Sequence, residues 1–251
     1  QETAFKEYDS FLQTMPLLKS MHDMHPNHIH EEIELQAMDF STYLPEWLAY
    51  VPEWRDYYLA HDQIDHYSYL KEILQAMQFM KGPKKWILKS PQHLEQISPL
   101  LRTFPDATFV ITYRDPLSVV LSTSTMLSYG DRLRRYKVEP KNNFHYWQNR
   151  IQMLLESFTE NYESIPLNQR CDIFFHDLMK SNLHSVKSIY SKNSLEFNKL
   201  TKDQMQEYIN SHQRGKHGQV IYDLDNFEVN KSEFYQSFEF YFQTFNVLKE
   251  I

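Results

Sequence analysis

Glycine is scarce in this chain, with 4 in 251 residues where an ordinary protein carries about 7%. The four are Gly82, Gly130, Gly215 and Gly218. Neither GxGxxG nor GxxxxGK[ST] can be built from them, so a nucleotide site resting on a glycine-rich loop is excluded from this stretch. There is one cysteine, Cys171. It allows no internal disulfide and asks for no oxidising compartment. Its apolar neighbours, Ile173, Phe174 and Phe175, mark it as a small buried hydrophobe. No run approaches the roughly 18 apolar residues of a membrane span. The opening residues QETAFKEYDS lack the basic and apolar regions of a signal peptide, so either a leader lies outside this stretch or the protein is intracellular, and a cytoplasmic location is expected. A basic excess is missing too. Lys and Arg number 26 against 33 Asp and Glu, for a net charge of −7. The overall field therefore repels nucleic acid and anionic membrane, and an anionic ligand has to be met by a local basic cluster.

Apolar residues make up 41% and charged residues 24%, enough for one sizeable core. The 17 Tyr and 17 Phe suit a thick core or an apolar acceptor pocket. No repeat, low-complexity tract or linker is evident, so one domain over residues 1–251 is expected. Residues 1–81 read as helical. Leu70, Ile73, Leu74, Met77 and Met80 recur at helical spacing, closed by Gly82-Pro83. The centre then alternates. Trp86 to Leu88 is a short apolar run, and a helix is expected from Gln92 to Phe104. Thr108 to Tyr113 is β-branched and aromatic, followed by helix from Leu117 to Ser128. This is strand, helix, strand, helix, the pattern of a parallel sheet buried on both faces. A third strand is expected over Cys171 to Phe175, and further helices over 142–163, 177–190 and 201–213. At the end, Phe234, Phe238, Tyr241, Phe242 and Phe245 form one helical face.

Ligands of such sheets bind at the carboxyl ends of the strands, and two cations fall there. Asp115-Pro116 suits the start of a helix, as cap and first residue, and a helix N-terminus attracts anions. Arg114 precedes it with a fork suited to phosphate. Ser118, Ser122 and Thr125 share a polar face on that helix. Either Arg114 and Ser122 grip one anion, or an arginine caps a strand and a serine meets water. Lys89-Ser90-Pro91-Gln92-His93 has the same layout. Lys89 offers a point charge, and His93 either a base of near-neutral pKa or a solvated histidine. Arg214-Gly215-Lys216-His217-Gly218 is a basic turn, around a ligand or merely exposed. The stretch Met21 to Glu32 holds four histidines and two glutamates, Glu31 and Glu32. No closed zinc spacing emerges, and a loop lining a site, with an alternative base, is the better reading.

The segment Trp86 to Thr125, with LKSPQHL and RDPLSVVLS, resembles the central region of sulfotransferases that use 3'-phosphoadenosine 5'-phosphosulfate (PAPS), in their largely bacterial branch. Ile173 to Ile189, Arg214 to Tyr222 and Met24 to Glu32 resemble further parts less specifically. The resemblance implies an α/β fold of the P-loop-kinase type, a central parallel sheet flanked by helices. It implies that Arg114 and Ser122 bind the 3'-phosphate of PAPS and of its product PAP. The loop residues Arg214, Gly215, Lys216 and His217 would close over that phosphate. Lys89 would stabilise the transferring group, and His93 would be the base for the acceptor hydroxyl. No metal is implied, and the partner expected is a small, apolar acceptor molecule. The family's glycine-containing phosphosulfate loop and its strand have no counterpart here, and we expect the stretch to begin downstream of them. Two rivals stay open: a nucleotide kinase on the same architecture, and a non-catalytic anion-binding homologue.

Overall fold

The structure is a computed structural model that describes residues 2–22, 24–218, 220–222 and 224–251. Among these residues the sheet consists of two parallel strands. β1 (Phe109–Tyr113) pairs with β2 (Arg170–Phe174), Phe109 opposite Arg170 and Tyr113 opposite Phe174. Their β-branched and aromatic residues suit a pleated, half-buried surface. Parallel neighbours require a long crossover, and here it carries the helices Pro116–Asp131 and Pro140–Asn161. No helix among the described residues is long and apolar enough to cross a membrane.

The apolar run Trp86 to Leu88 forms no strand. Residues 82–90 carry neither helix nor strand, and Ile87 is 95% exposed. Such a run favours β geometry, but a ladder exists only where a neighbouring strand takes its N–H and C=O groups. The helix expected from Gln92 to Phe104 is broken into a 3₁₀ turn, Pro91–Glu95, and a helix, Ile97–Thr103. The helix expected over 177–190 is two, Phe175–Lys180 and Asn182–Lys192. Ser181 lies extended between them, and its side chain accepts from the His184 N–H. A capping serine competes with helix continuation in this way.

The chain divides into two compact units. The first holds the residues up to His28, Thr108–Gln152 and Pro166–Ile251. Its core includes the buried face of the helix Pro116–Asp131, with Leu117, Val120 and Leu121 at 0% exposure, and the terminal aromatics. Phe234 stacks on Phe238 at 4.7 Å between ring centroids, and Tyr113 lies 4.8 Å from Phe174 and 4.9 Å from Phe245. Phe242, expected on the same face, is only half-buried. The second unit holds Ile29–Ala107 and Met153–Ile165. Its long helix, Ile64–Lys81, packs on Ile97–Thr103. Tyr67, Leu70 and Leu74 face inward, while Met80 at the helix end is exposed.

These cores make a sharp stability contrast. Phe238→Ala should cost about 3–5 kcal/mol, the price of an emptied aromatic site, whereas Phe79→Ala, at a position 93% exposed, should change stability by less than about 0.5 kcal/mol. Urea unfolding midpoints of the two variants would check this.

Candidate active site

Each unit carries a cluster of chemically active side chains around a residue that the sequence singled out. In the first, Asp115 ends the turn after β1 and caps the helix Pro116–Asp131, accepting from the Leu117 N–H at 3.0 Å. Asp115 is fully buried. Its other oxygen, Oδ2, accepts from the Tyr235 hydroxyl at 2.9 Å and from the Glu250 N–H at 2.7 Å. The second of these bonds brings the segment after the last helix back to the strand end. Glu250 then presents its carboxylate to Arg114. Nε of Arg114 donates to Oε1 at 3.0 Å and Nη2 to Oε2 at 3.0 Å, a two-pronged pair. The Ser118 hydroxyl donates to the same Oε2 at 3.2 Å. The Cζ of the Arg114 guanidinium lies over the Phe175 ring, 4.1 Å from its centroid, a cation–π contact. Ser118 is thus buried against the held anion, while Ser122, one turn further along, is exposed.

In the second unit the 3₁₀ turn Pro91–Glu95 positions His93. Ser90 caps it, and the fully buried Gln92 accepts from the Thr42 hydroxyl at 3.0 Å and the Tyr43 N–H at 3.2 Å, which anchors the turn. Both ring nitrogens of His93 are engaged. Nε2 meets Oε1 of Glu32, and Nδ1 meets the Tyr67 hydroxyl at 2.7 Å. Glu32 is 4% exposed, and its Oε2 accepts from the Lys89 N–H at 2.6 Å. Burial alone would push the Glu32 carboxyl up, but the hydrogen bond and charge of His93, with the backbone N–H groups, hold it below its ordinary value. Burial pushes the Tyr67 phenol well above its ordinary value. The Lys89 ammonium is exposed and paired with Glu31.

The basic turn follows the helix Lys199–Ser211 in the first unit. Arg214, Gly215, Lys216 and His217 are all exposed, and the Lys216 ammonium donates to the Ser211 carbonyl at 2.9 Å. Gly215 has φ +79, a conformation that glycine adopts without strain. Of the histidine stretch, His25 packs edge-on to Phe5 and Tyr8, and His30 pairs with Glu34. Asp23 lies outside the described residues. Among those described, no group of three or more His, Cys, Asp or Glu gathers to hold a metal ion.

Sequence reasoning passed over Tyr67 and Glu250. Tyr67 sits at helical spacing from Leu70 and Leu74 and reads as core, while Glu250 lies 136 residues from its partner Arg114 with no local signal. The pairing of Glu32 with His93 had a faint sign, an acidic residue in the histidine stretch.

The Sulfotransferase family profile matches residues 3–199. No curated protein sequence matches the chain. Among solved structures, the chain is similar to sulfotransferase STF9 from Mycobacterium avium, with 19% identity and a TM-score of 0.82. It is similar also to sulfotransferase STF1 from Mycobacterium tuberculosis H37Rv, with 20% identity and a TM-score of 0.78. The matches take in 99% and 94% of this chain, which spans 64% and 62% of those two proteins. The α/β fold expected from the sequence is theirs.

The lowered Glu32 carboxyl has a stability consequence. Its contribution is full at pH above the ordinary value of 4.5 and fades as the pH falls through the lower folded-state value. The stability difference between the parent chain and Glu32→Gln should therefore be level near neutrality and shrink on acidification below 4.5. Urea titrations of both proteins across that range would measure it.

Proposed function

The chain belongs to the sulfotransferase family, and on that premise we propose that it transfers a sulfuryl group from PAPS to the hydroxyl or amine of a small, apolar acceptor, in the cytoplasm. The observation that carries this reading is the cradle around Arg114. A guanidinium over the Phe175 ring, beside a helix N-terminus, grips a carboxylate by two nitrogens with a serine hydroxyl alongside. That donor set suits phosphate as well as carboxylate. The Glu250 carboxylate is a stand-in for the anion, and the residues fit it. In this reading Arg114 and Ser122 bind the 3'-phosphate of PAPS or PAP, Ser118 joins them, and Arg214, Gly215, Lys216 and His217 close on the same group.

PAPS, when bound, supplies the sulfuryl group and a stable leaving phosphate. The chain supplies charge and proton handling. Lys89 exchanges Glu31 for the transferring group and offsets the charge that builds on its oxygens. The Glu32–His93 pair takes the proton of the acceptor hydroxyl as its oxygen attacks. Lysine and arginine carry the positive charge, and no metal belongs to this proposal. The aromatic wealth of the chain favours an apolar acceptor.

Calorimetric titration with PAP tests the cradle in two directions. Arg114→Ala should weaken binding about ten- to a hundredfold, as loss of a charged hydrogen-bonding pair does. Glu250→Gln should tighten it, because the competing carboxylate is gone. Unaltered affinity in both would remove the 3'-phosphate assignment. Separately, His93→Ala should lower turnover by about 10²-fold with PAP binding kept.

A further inference from the structure

The hydrogen bonds of His93 decide where a proton taken up by the Glu32–His93 pair can reside. An ionised carboxylate only accepts, so the ring nitrogen facing Glu32, Nε2, carries the hydrogen. In the neutral ring Nδ1 is then the bare nitrogen, and it faces the Tyr67 hydroxyl at 2.7 Å. A phenol there donates its hydrogen to Nδ1. Tyr67 is 0% exposed on the helix Ile64–Lys81, with its ring centroid 5.6 Å from that of His93, so it is held in place by packing. The one lone pair on the imidazole that could receive a proton is therefore covered.

We infer that Tyr67 is a positioning residue: by occupying Nδ1 it fixes the ring of His93 and the tautomer with Nε2–H on Glu32, the geometry in which the pair meets the acceptor hydroxyl. The inference rests on the sulfotransferase reading for its acceptor, but not for its geometry. The balance is simple. The acceptor O–H bond breaks, its electron pair stays on the oxygen, and the proton passes to the Glu32–His93 pair; when it settles on Nδ1, the Tyr67 hydroxyl turns from donor to acceptor. The other charged groups around the pair are Lys89, whose N–H donates to Glu32 while its ammonium is paired with Glu31, and Glu95 on the same turn as His93. Burial of the Tyr67 phenol, which raises its pKa, keeps its hydrogen in place.

The test is the ¹⁵N spectrum of histidine-labelled protein, with the His93 signals identified by their loss in His93→Gln. Near neutral pH the parent chain should show Nε2 protonated and Nδ1 bare and hydrogen-bonded. Tyr67→Phe, which keeps the ring and loses the hydroxyl, should shift the Nδ1 resonance towards that of a bare nitrogen without a hydrogen bond and leave a mixture of tautomers. A neutral ring protonated at Nδ1 in the parent chain, or an unchanged Nδ1 signal in a folded Tyr67→Phe, would overturn the inference. If that variant does not fold, the tautomer of the parent chain decides by itself. PAP titration of the parent chain keeps the two questions apart: absence of binding alongside the expected tautomer would overturn the sulfotransferase reading and leave Tyr67 its role.

Discussion

A carboxylate removed from water loses several kcal/mol of solvation unless donors replace it, and both clusters in this chain are organised by that demand. Asp115 is fully buried and is met by a helix N–H, a tyrosine hydroxyl and the N–H of Glu250. Those three bonds tie the end of β1, the helix after it and the last residues of the chain to one point. Arg114 is the neighbour of that point, so its orientation follows from it. Glu32 is nearly as buried and is met by His93 and the Lys89 N–H. The geometry of the histidine follows in the same way from the acid.

The two clusters use their anions differently. Around Arg114 the carboxylate of Glu250 is one quarter exposed and its partner one third. Such a pair is partly screened and exchangeable. The Glu32 side chain is 3% exposed, and breaking its contacts would strand a buried charge. Under the proposed function, the first arrangement suits a site that admits and releases an anionic cofactor, and the second one that holds a proton-transfer geometry.

How much of this was legible beforehand differs from residue to residue. Asp115-Pro116 announced a capped helix start, because cap chemistry is local and needs only adjacent residues. The burial of Phe234, Phe238, Tyr241 and Phe245 was readable from their spacing, but not the break at Phe238 that divides the expected single helix into Lys231–Ser237 and Glu239–Thr244. Trp86 to Leu88 had the composition of a strand without forming one, because pairing depends on a second chain segment that composition does not specify. His93 stood out as a titratable group near a helix start, yet the turn that holds it proved to be 3₁₀, anchored by the buried amide of Gln92.

The amino-acid sequence alone determined the family, the strand and capped helix on either side of Arg114 and the exclusion of a glycine-rich phosphate loop from this stretch, all carried by neighbours within a few positions. Tertiary structure decided which groups meet: Glu250 with Arg114, Tyr67 and Glu32 with the two faces of His93, and Ser118 rather than Ser122 against the anion now held. Those contacts join segments 26 to 136 residues apart. They are selected by the cost of leaving buried polar atoms unpaired, a quantity that exists only once the chain has folded.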